Sequence, residues 1–519
     1  MDYLGMILVA VTVVVVSKIF QAWKMIFWRP YVVIKRFRRQ GIMGPRYSLL
    51  SGSLDEMKKL RKAALETVLD TKSHDITERV VPHCNIWTLE YGETFLYWYG
   101  IQPRLCISDP NLAKHILSDK LGFYDKPKAR PSVEKLAGRR GLALINGLDW
   151  VRHRKIVNPA FTIEKLKLMM KGMTSCTISM LDNWENQTTK TNKKIDVYEE
   201  FKTLLADIIA HTAFGSSFAE GKEAFRAQIE LQQFCAASSA DIFIPGSQYL
   251  PTPSNIQVWK LDKKVKSTLR NIIESRLNTP KDTKNSDGYG DDLIGVMIEN
   301  SEMVDQSGSG PKLNMDEIVE ECKTFFFAGH ETTANCLTWT IFLLSLHQEW
   351  QTKLREEILN ECGTGSPDVD MLAQLKLVNM VLLESLRLYC PVIRVFRQAK
   401  KDTKIGNLMI PKGTCVEIPV VQIHRSKKYW GEDANEFNPL RFINGISKAT
   451  EYPHAMLAFG MGPRVCIGQN FAMLATKTAI TLMLQKFSFS LSSVYKHTPM
   501  DGLILQPQYG LPVIVKPLC

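Results

Sequence analysis

The stretch that most limits the fold runs from Asn314 to Leu346. Asn314 is a good helix N-cap, and Asp316 and Glu317 complement the positive end of a helix starting there. Apolar residues then recur at helical spacing from Ile318 to about Leu346, which predicts a helix about 50 Å long at 1.5 Å per residue. A helix of that length crosses a whole domain, so the rest of the chain must pack around it. At its middle stands Ala328-Gly-His-Glu-Thr-Thr333, where a glycine and a run of polar residues break the pattern. Buried polar groups are costly unless paired or used. A zinc helix of the His-Glu-x-x-His kind fails, because position 334 is alanine where that motif needs histidine. What remains is an acid beside an alcohol, Glu331 and Thr332, or a polar kink in a core helix.

A second stretch, Phe459-Gly-Met-Gly-Pro-Arg-Val-Cys-Ile-Gly468, places Cys466 just ahead of a long apolar-periodic run. A thiolate needs positive surroundings, which a helix N-terminus and Arg464 would supply. Gly460, Gly462 and Gly468 let the backbone approach something flat and bulky. This is how a protein would hold a thiolate ligand for haem iron; the plain alternative is a cysteine in a glycine turn.

Composition narrows the class. With 45% hydrophobic and 23% charged residues, the 519-residue chain can bury a large core. The net charge of +12 invites a nucleic-acid reading, but the densest basic run flanks an apolar N-terminal segment and no nucleic-acid motif is visible. Eleven cysteines with no CxxC pair argue against a disulfide framework and for a reducing compartment.

The N-terminus predicts an anchor over 1–28. Leu4 to Ser17 is uncharged, and apolar character continues to Trp28, long enough to span if Lys18 and Lys24 reach the headgroups. Lys24, Arg29, Lys35, Arg36, Arg38 and Arg39 follow with no acidic residue among them, so that flank is expected in the cytosol. Residues 29–48 read as a basic linker closing on Gly41-Ile-Met-Gly-Pro45, and 49–519 as the catalytic domain. Within it, Thr94–Tyr99 and Leu105–Ile107 predict a hairpin, and Gly406-Asn407 and Pro411-Lys-Gly413 mark further sheet. Helical runs are expected at Lys165–Trp184, Val197–Phe214, Ala224–Cys235 and Val258–Arg276. Asn278 to Asp292 reads as an exposed loop; the proline-rich loop from Phe243 to Pro253 is either buried, in contact with lipid, or a substrate gate. The reading is mainly α with small β-sheets.

Phe459, Gly462, Arg464, Cys466 and Gly468 fall at the spacing Phe-x-x-Gly-x-Arg-x-Cys-x-Gly, which resembles the haem-binding motif of the cytochrome P-450 superfamily. Ala328, Gly329, Glu331, Thr332 and Thr333 match its mid-helix motif. Finer texture, including Ser-Phe-Ala-Glu-Gly221 and Pro507-Gln-Tyr-Gly-Leu-Pro512, resembles plant clan seventy-two, nearest to family seven-hundred-and-nine. Cys390 departs from the proline many relatives have before Pro391.

The resemblance implies the cytochrome P-450 fold, haem b (iron protoporphyrin IX) with Cys466 as axial ligand, and a proton-delivery role for Glu331 and Thr332. It makes Trp150, Arg154, Arg397 and Arg464 partners of the haem propionates. It makes Glu384, Arg387 and Arg441 a buried structural network, whereas Glu-x-x-Arg alone is usually a surface pair. Arg152 and His153 read as surface or helix-packing residues.

The implied activity is membrane-bound monooxygenation, inserting one oxygen atom of O2 into a C–H bond. Electrons would come from NADPH through cytochrome P-450 reductase at the endoplasmic reticulum. Alternatives are a reductase-independent isomerase or dehydratase acting on a hydroperoxide, whose family members usually lack the acid–alcohol pair, and a non-catalytic haem-binding membrane protein. Substrate lining is expected from 124–142, the Phe243 loop, 325–328, 392–396 and 503–505. It is largely apolar, suiting a fatty acid, terpenoid or plant hormone. Arg394 would either meet a substrate carboxylate or pair with a neighbour.

Overall fold

A computed structural model describes residues 3–188, 193–215, 218–238, 246–278, 289–290, 292–302 and 312–518. Most of the polar 278–292 stretch and residues 243–245 of the proline-rich loop lie outside them. The chain divides into two compact units: Met1–Thr67, Thr77–Pro127 and Arg394–Ile423 form the first, and Val68–Ile76, Lys128–Ile393 and His424–Cys519 the second.

In the first unit, α1 (Tyr3–Trp23) passes through a π-helical turn, Lys24–Trp28, into α2 (Arg29–Arg38). The segment Val9–Arg38 is long and apolar enough to cross a membrane. The turn has an identifiable cause. Pro30 has no N–H to offer the Ile26 carbonyl four residues back, and the Tyr47 hydroxyl donates to that carbonyl instead, at 3.1 Å. No described residue up to Trp28 is buried, whereas Pro30, Val33 and Phe37 are. Residues 29–48, read as a linker, are therefore helical as far as Arg38, and the chain turns at Gly41, where φ is +77°.

After α3 (Pro82–Tyr91), β1 (Thr94–Tyr99) and β2 (Gln102–Ile107) form the expected hairpin, with Tyr99 opposite Gln102. The second strand starts three residues earlier than its apolar run suggests and includes Pro103. Its other neighbour pairs only from Arg104 onward, so the missing proline N–H is not needed there. With β3 (Tyr124–Asp125), β4 (Val395–Ala399) and β7 (Cys415–Ile418) these strands make a five-stranded sheet, ordered β1-β2-β7-β4-β3. The β2–β7 pair is parallel; the others are antiparallel. A separate hairpin joins β5 (Thr403–Ile405) to β6 (Leu408–Ile410) through Gly406-Asn407.

The second unit is built on α4 (Gly147–Val157), α5 (Ile163–Thr188), α6 (Val197–Phe214), α7 (Phe218–Ser238), α8 (Pro253–Asn278), α9 (Met315–Leu346), α10 (Lys376–Leu388) and α11 (Gln469–Lys486). Strand Pro512–Pro517 lies between Lys193–Asp196 and Phe487–Leu491 in a small antiparallel sheet. The long helix α9 is its axis. Asn314 caps it with a reciprocal box: the Glu317 N–H donates to Asn314 Oδ1 and the Asn314 N–H to Glu317 Oε2, each at 2.9 Å. Helix α6 crosses it closely at Gly329, where a Cβ would lie 2.8 Å from Ile209 Cδ1. Helix α8 is tied to α9 by three ion pairs in antiparallel order: Asp262 with Lys323, Lys266 with Glu320, and Arg270 with Asp316. The Lys323 side chain is wholly buried.

Candidate active site around Cys466

Helix α9 is buried for nearly its whole length, with one exception at the centre. Phe327 is half-buried there, and so are Phe325, Gly329 and Thr332 around the exposed Ala328. Phe325, Ala328, Gly329 and Thr332 are i, i+3, i+4 and i+7, one face of the helix over two turns. Phe161 stands beside that face, its ring 5.5 Å from Phe325, and the same ring lies 3.9 Å from where a Cβ at Gly468 would be. The open stripe of α9 and the cysteine loop thus belong to one site, bridged by a phenylalanine that no sequence pattern singled out.

The loop itself is tightly held. The Cys466 N–H donates to the Phe459 carbonyl at 2.9 Å, and Gly460 and Gly462 adopt φ of +72° and +73°, which a side chain would strain. Gly468 needs no such freedom, since its φ is −88°. Cys466 lies two residues ahead of Gly468, the cap of α11, in the positive field of that helix end. Among the ten described cysteines it alone is exposed. Cys390 is buried, 3.9 Å from the Ala458 carbonyl at the entry to the loop.

Two arginines from the expected set reach this loop. Arg154 Nη1 donates to the Val465 carbonyl at 3.0 Å, and burial pulls its pKa down while the neighbouring Cys466 pushes it up. Arg464 Nη2 donates to the Ile145 carbonyl and to Asn146 Oδ1, both at 2.9 Å, and its guanidinium stacks 4.7 Å above Trp150. Trp150 and Arg154 share one face of α4. Arg397 belongs to the first unit, on β4. It is 6% exposed, burial draws its pKa down to about 10, and among the described residues its Nη1 bonds a carbonyl, that of Phe396. Arg394, also in the first unit, faces Glu417 at 3.9 Å. Glu417 in turn accepts from Tyr97 and lies with His83 and Cys84 in a buried cluster whose potential ligand atoms are within 4.8 Å of one another.

Glu331 and Thr332 are neighbours in sequence but about 100° apart around the helix. The Thr332 hydroxyl faces the open stripe and donates back to the Ala328 carbonyl at 2.5 Å. The Glu331 carboxyl turns the other way, toward α6. Burial pushes its pKa up, opposed by Lys202, and Asn335 lies 3.5 Å from it. The structure does not bring acid and alcohol into direct contact.

Behind the loop, Glu384 and Arg387 form a fully buried bidentate pair, with both bonds 2.7 Å. Arg387 also donates to the carbonyls of His424, Ala434 and Glu436. Arg441 Nε is 3.7 Å from Glu384 Oε1, and its Nη2 bonds Asp433 at 2.7 Å. His424 is the member the sequence did not reveal. Its Nε2 accepts the Leu457 N–H at 2.8 Å, so its Nδ1 must carry the proton and donate to the Arg387 carbonyl, 3.1 Å away. It joins the ion pair to the segment entering the cysteine loop.

Comparison with known proteins agrees with this geometry. The family model described as Cytochrome P450 matches residues 54–514. Cytochrome P450 709B1 of Arabidopsis thaliana is 50% identical over 518 residues, covering 98% of each chain. Cytochrome P450 709B3 of the same plant is 51% identical, covering 99% of each. Secologanin synthase 1 of Catharanthus roseus is 39% identical over 96% of this chain and 95% of its own.

Proposed function

Because the chain belongs to the cytochrome P450 family, haem-binding oxidoreductase monooxygenases, we propose that it hydroxylates a hydrophobic small molecule at a C–H bond, with electrons delivered from NADPH by a flavoprotein reductase. The observation that carries this reading is the exposed Cys466 thiol at the head of α11, in one site with the incompletely buried α9 stripe that bears Thr332.

The residues fit a haem. Arg154 is a desolvated guanidinium held against a carbonyl, and a carboxylate propionate would satisfy it better; Arg397 is a propionate partner by the resemblance alone. Arg464 over Trp150 supplies further positive charge beside the loop. Cys466 would hold the haem iron through its sulfur, and a thiolate-ligated haem would supply the oxygen-cleaving chemistry. Phe459, Gly462 and Gly468 shape the loop that presents the sulfur. Glu331, whose pKa burial pushes up, is a proton carrier beside Lys202, which reaches solvent. The Thr332 hydroxyl leaves the Ala328 carbonyl by rotation about one bond and passes a proton into the open face.

Phe325 and Ala328 on α9 and the Leu503–Leu505 turn make an apolar lining suited to a fatty acid, terpenoid or plant hormone; Leu503 itself is held at a φ of +90°. The N-terminal helix anchors the protein once in the endoplasmic reticulum membrane, with the rest cytosolic.

The test is a spectrum and a screen. Reduced, carbon-monoxide-treated protein should show the red-shifted Soret band of thiolate ligation, and a histidine-type band would sink the reading. Microsomes with reductase and NADPH, screened against fatty acids and plant hormones, should yield a hydroxylated product. Turnover of a hydroperoxide without reductase would favour the isomerase alternative.

A further inference from the structure

Within the second unit, His153 and Glu321 form a buried pair that the chemistry above does not use. His153 Nδ1 lies 2.6 Å from Glu321 Oε1, and its Nε2 lies 3.5 Å from Glu317 Oε1. Both side chains are almost completely buried, at 1% and 0% exposure. Such a pair stabilises poorly compared with apolar packing of the same volume, so its geometry is the part that needs explaining.

Two arms lead from the pair to the cysteine loop. In the first, Glu321 Oε1 also accepts the Leu142 N–H at 2.9 Å. That bond fixes a turn in which the N–H groups of Leu144 and Ile145 donate to the Gly141 carbonyl. A Cβ at Gly141 would be 1.8 Å from Thr324 Oγ1, so glycine is what lets this turn press onto α9. The far end of the turn, the Ile145 carbonyl and Asn146 Oδ1, holds Arg464. In the second arm, His153 pins α4, whose next residue, Arg154, donates to the Val465 carbonyl. The arms converge on residues 464 and 465, immediately before Cys466.

We propose that His153 and Glu321 are positioning residues for the Cys466 loop, fixing through Arg464 and Arg154 the hydrogen bonds and charge around the sulfur. The proposal rests on the haem-thiolate reading. Groups that orient a metal ligand from behind typically change metal-site properties 10–100-fold when removed. Arg152, which grips Glu317 through two bonds of 2.6 and 2.9 Å, steadies the solvent end of the network and lies outside both arms.

The test uses full-length, haem-loaded protein carrying Glu321→Leu, His153→Phe, Glu321→Gln or His153→Gln. Three quantities are read: the rate at which the thiolate-type Soret band of the reduced carbon-monoxide complex converts to the non-thiolate band on warming, the haem reduction potential, and the thermal midpoint. Glu321→Leu and His153→Phe should speed the conversion about tenfold or more and shift the potential, with Glu321→Gln restoring most of both. Should the apolar variants fail to fold, the two glutamine variants carry the test, with a faster conversion and a displaced potential expected for His153→Gln. A lowered thermal midpoint with wild-type conversion rate and potential would show a packing role only and overturn the proposal. Wild-type protein lacking the thiolate band would overturn the functional reading instead.

Discussion

At the scale of single residues, the site depends on histidines whose partners a sequence does not show. His424 is held neutral: burial first, then Arg387 and Arg425, bring its pKa down to about 3. Its folded pKa lies below the unfolded value near 6.5, so its contribution to stability is fully present above about 6.5. It is lost as pH falls toward 3, because the unfolded chain then binds the extra proton. We expect His424→Gln, which can reproduce both hydrogen bonds, to flatten the pH dependence of stability between about 6.5 and 4 by up to about 1.4 kcal/mol per pH unit. Denaturant midpoints of the two proteins across that range measure it; parallel curves would mean that folding leaves the His424 pKa at its unfolded value. Cys466 was legible because its spacing is distinctive, and Glu384 and Arg387 only through the resemblance that spacing carries. His153, His424 and Phe161 were not, since each meets its partner only after distant segments have folded together.

At the scale of elements, periodicity placed the helices well, and contacts between them set their energetics. Val197–Phe214 is the helix its apolar pattern predicts, residue for residue, whereas α5, α7 and α8 extend beyond their apolar runs because capping and packing, not apolar spacing, set the ends. At the α6–α9 crossing, the clash of Gly329→Ala with the end of the Ile209 side chain is offset by the better helix propensity of alanine, so the change should cost at most about 1 kcal/mol, and Ile209→Val should recover the clash in the double variant. Additive losses in a double-mutant cycle would place the strain elsewhere. Along α8, the ion pairs differ by burial. Asp262→Asn leaves the buried Lys323 ammonium unpaired and should cost about 3–5 kcal/mol. Arg270→Ala removes an exposed partner of Asp316 and should cost at most about 1 kcal/mol. Equal thermal midpoints for these two variants would contradict the assignment.

At the scale of the molecule, burial divides the N-terminal helix at a definite place. No described residue up to Trp28 is buried, while Arg29 donates to the Gly413 carbonyl at 3.3 Å and Pro30, Val33 and Phe37 are buried in the first unit. Deleting residues 1–28 should release the protein from carbonate-washed membranes and leave its haem spectrum unchanged. Continued sedimentation with the membranes would reveal a second lipid contact. Deletion through Phe37 should instead destabilise the first unit, because it strips buried side chains as well as the anchor.

The sequence by itself determined the family, the mainly helical architecture with small sheets, the apolar N-terminal helix, the long capped helix α9, and the singular Cys466 loop. These are local facts, written in spacing, capping and composition over short runs of chain. Only the tertiary structure decided that Gly329 serves a helix crossing, that Glu331 turns away from Thr332, and that His153 and Glu321 reach the cysteine loop through Arg464 and Arg154. Those outcomes depend on which way a side chain faces and what folds against it. That information lies in contacts between residues far apart in the chain, which no pattern along one segment contains.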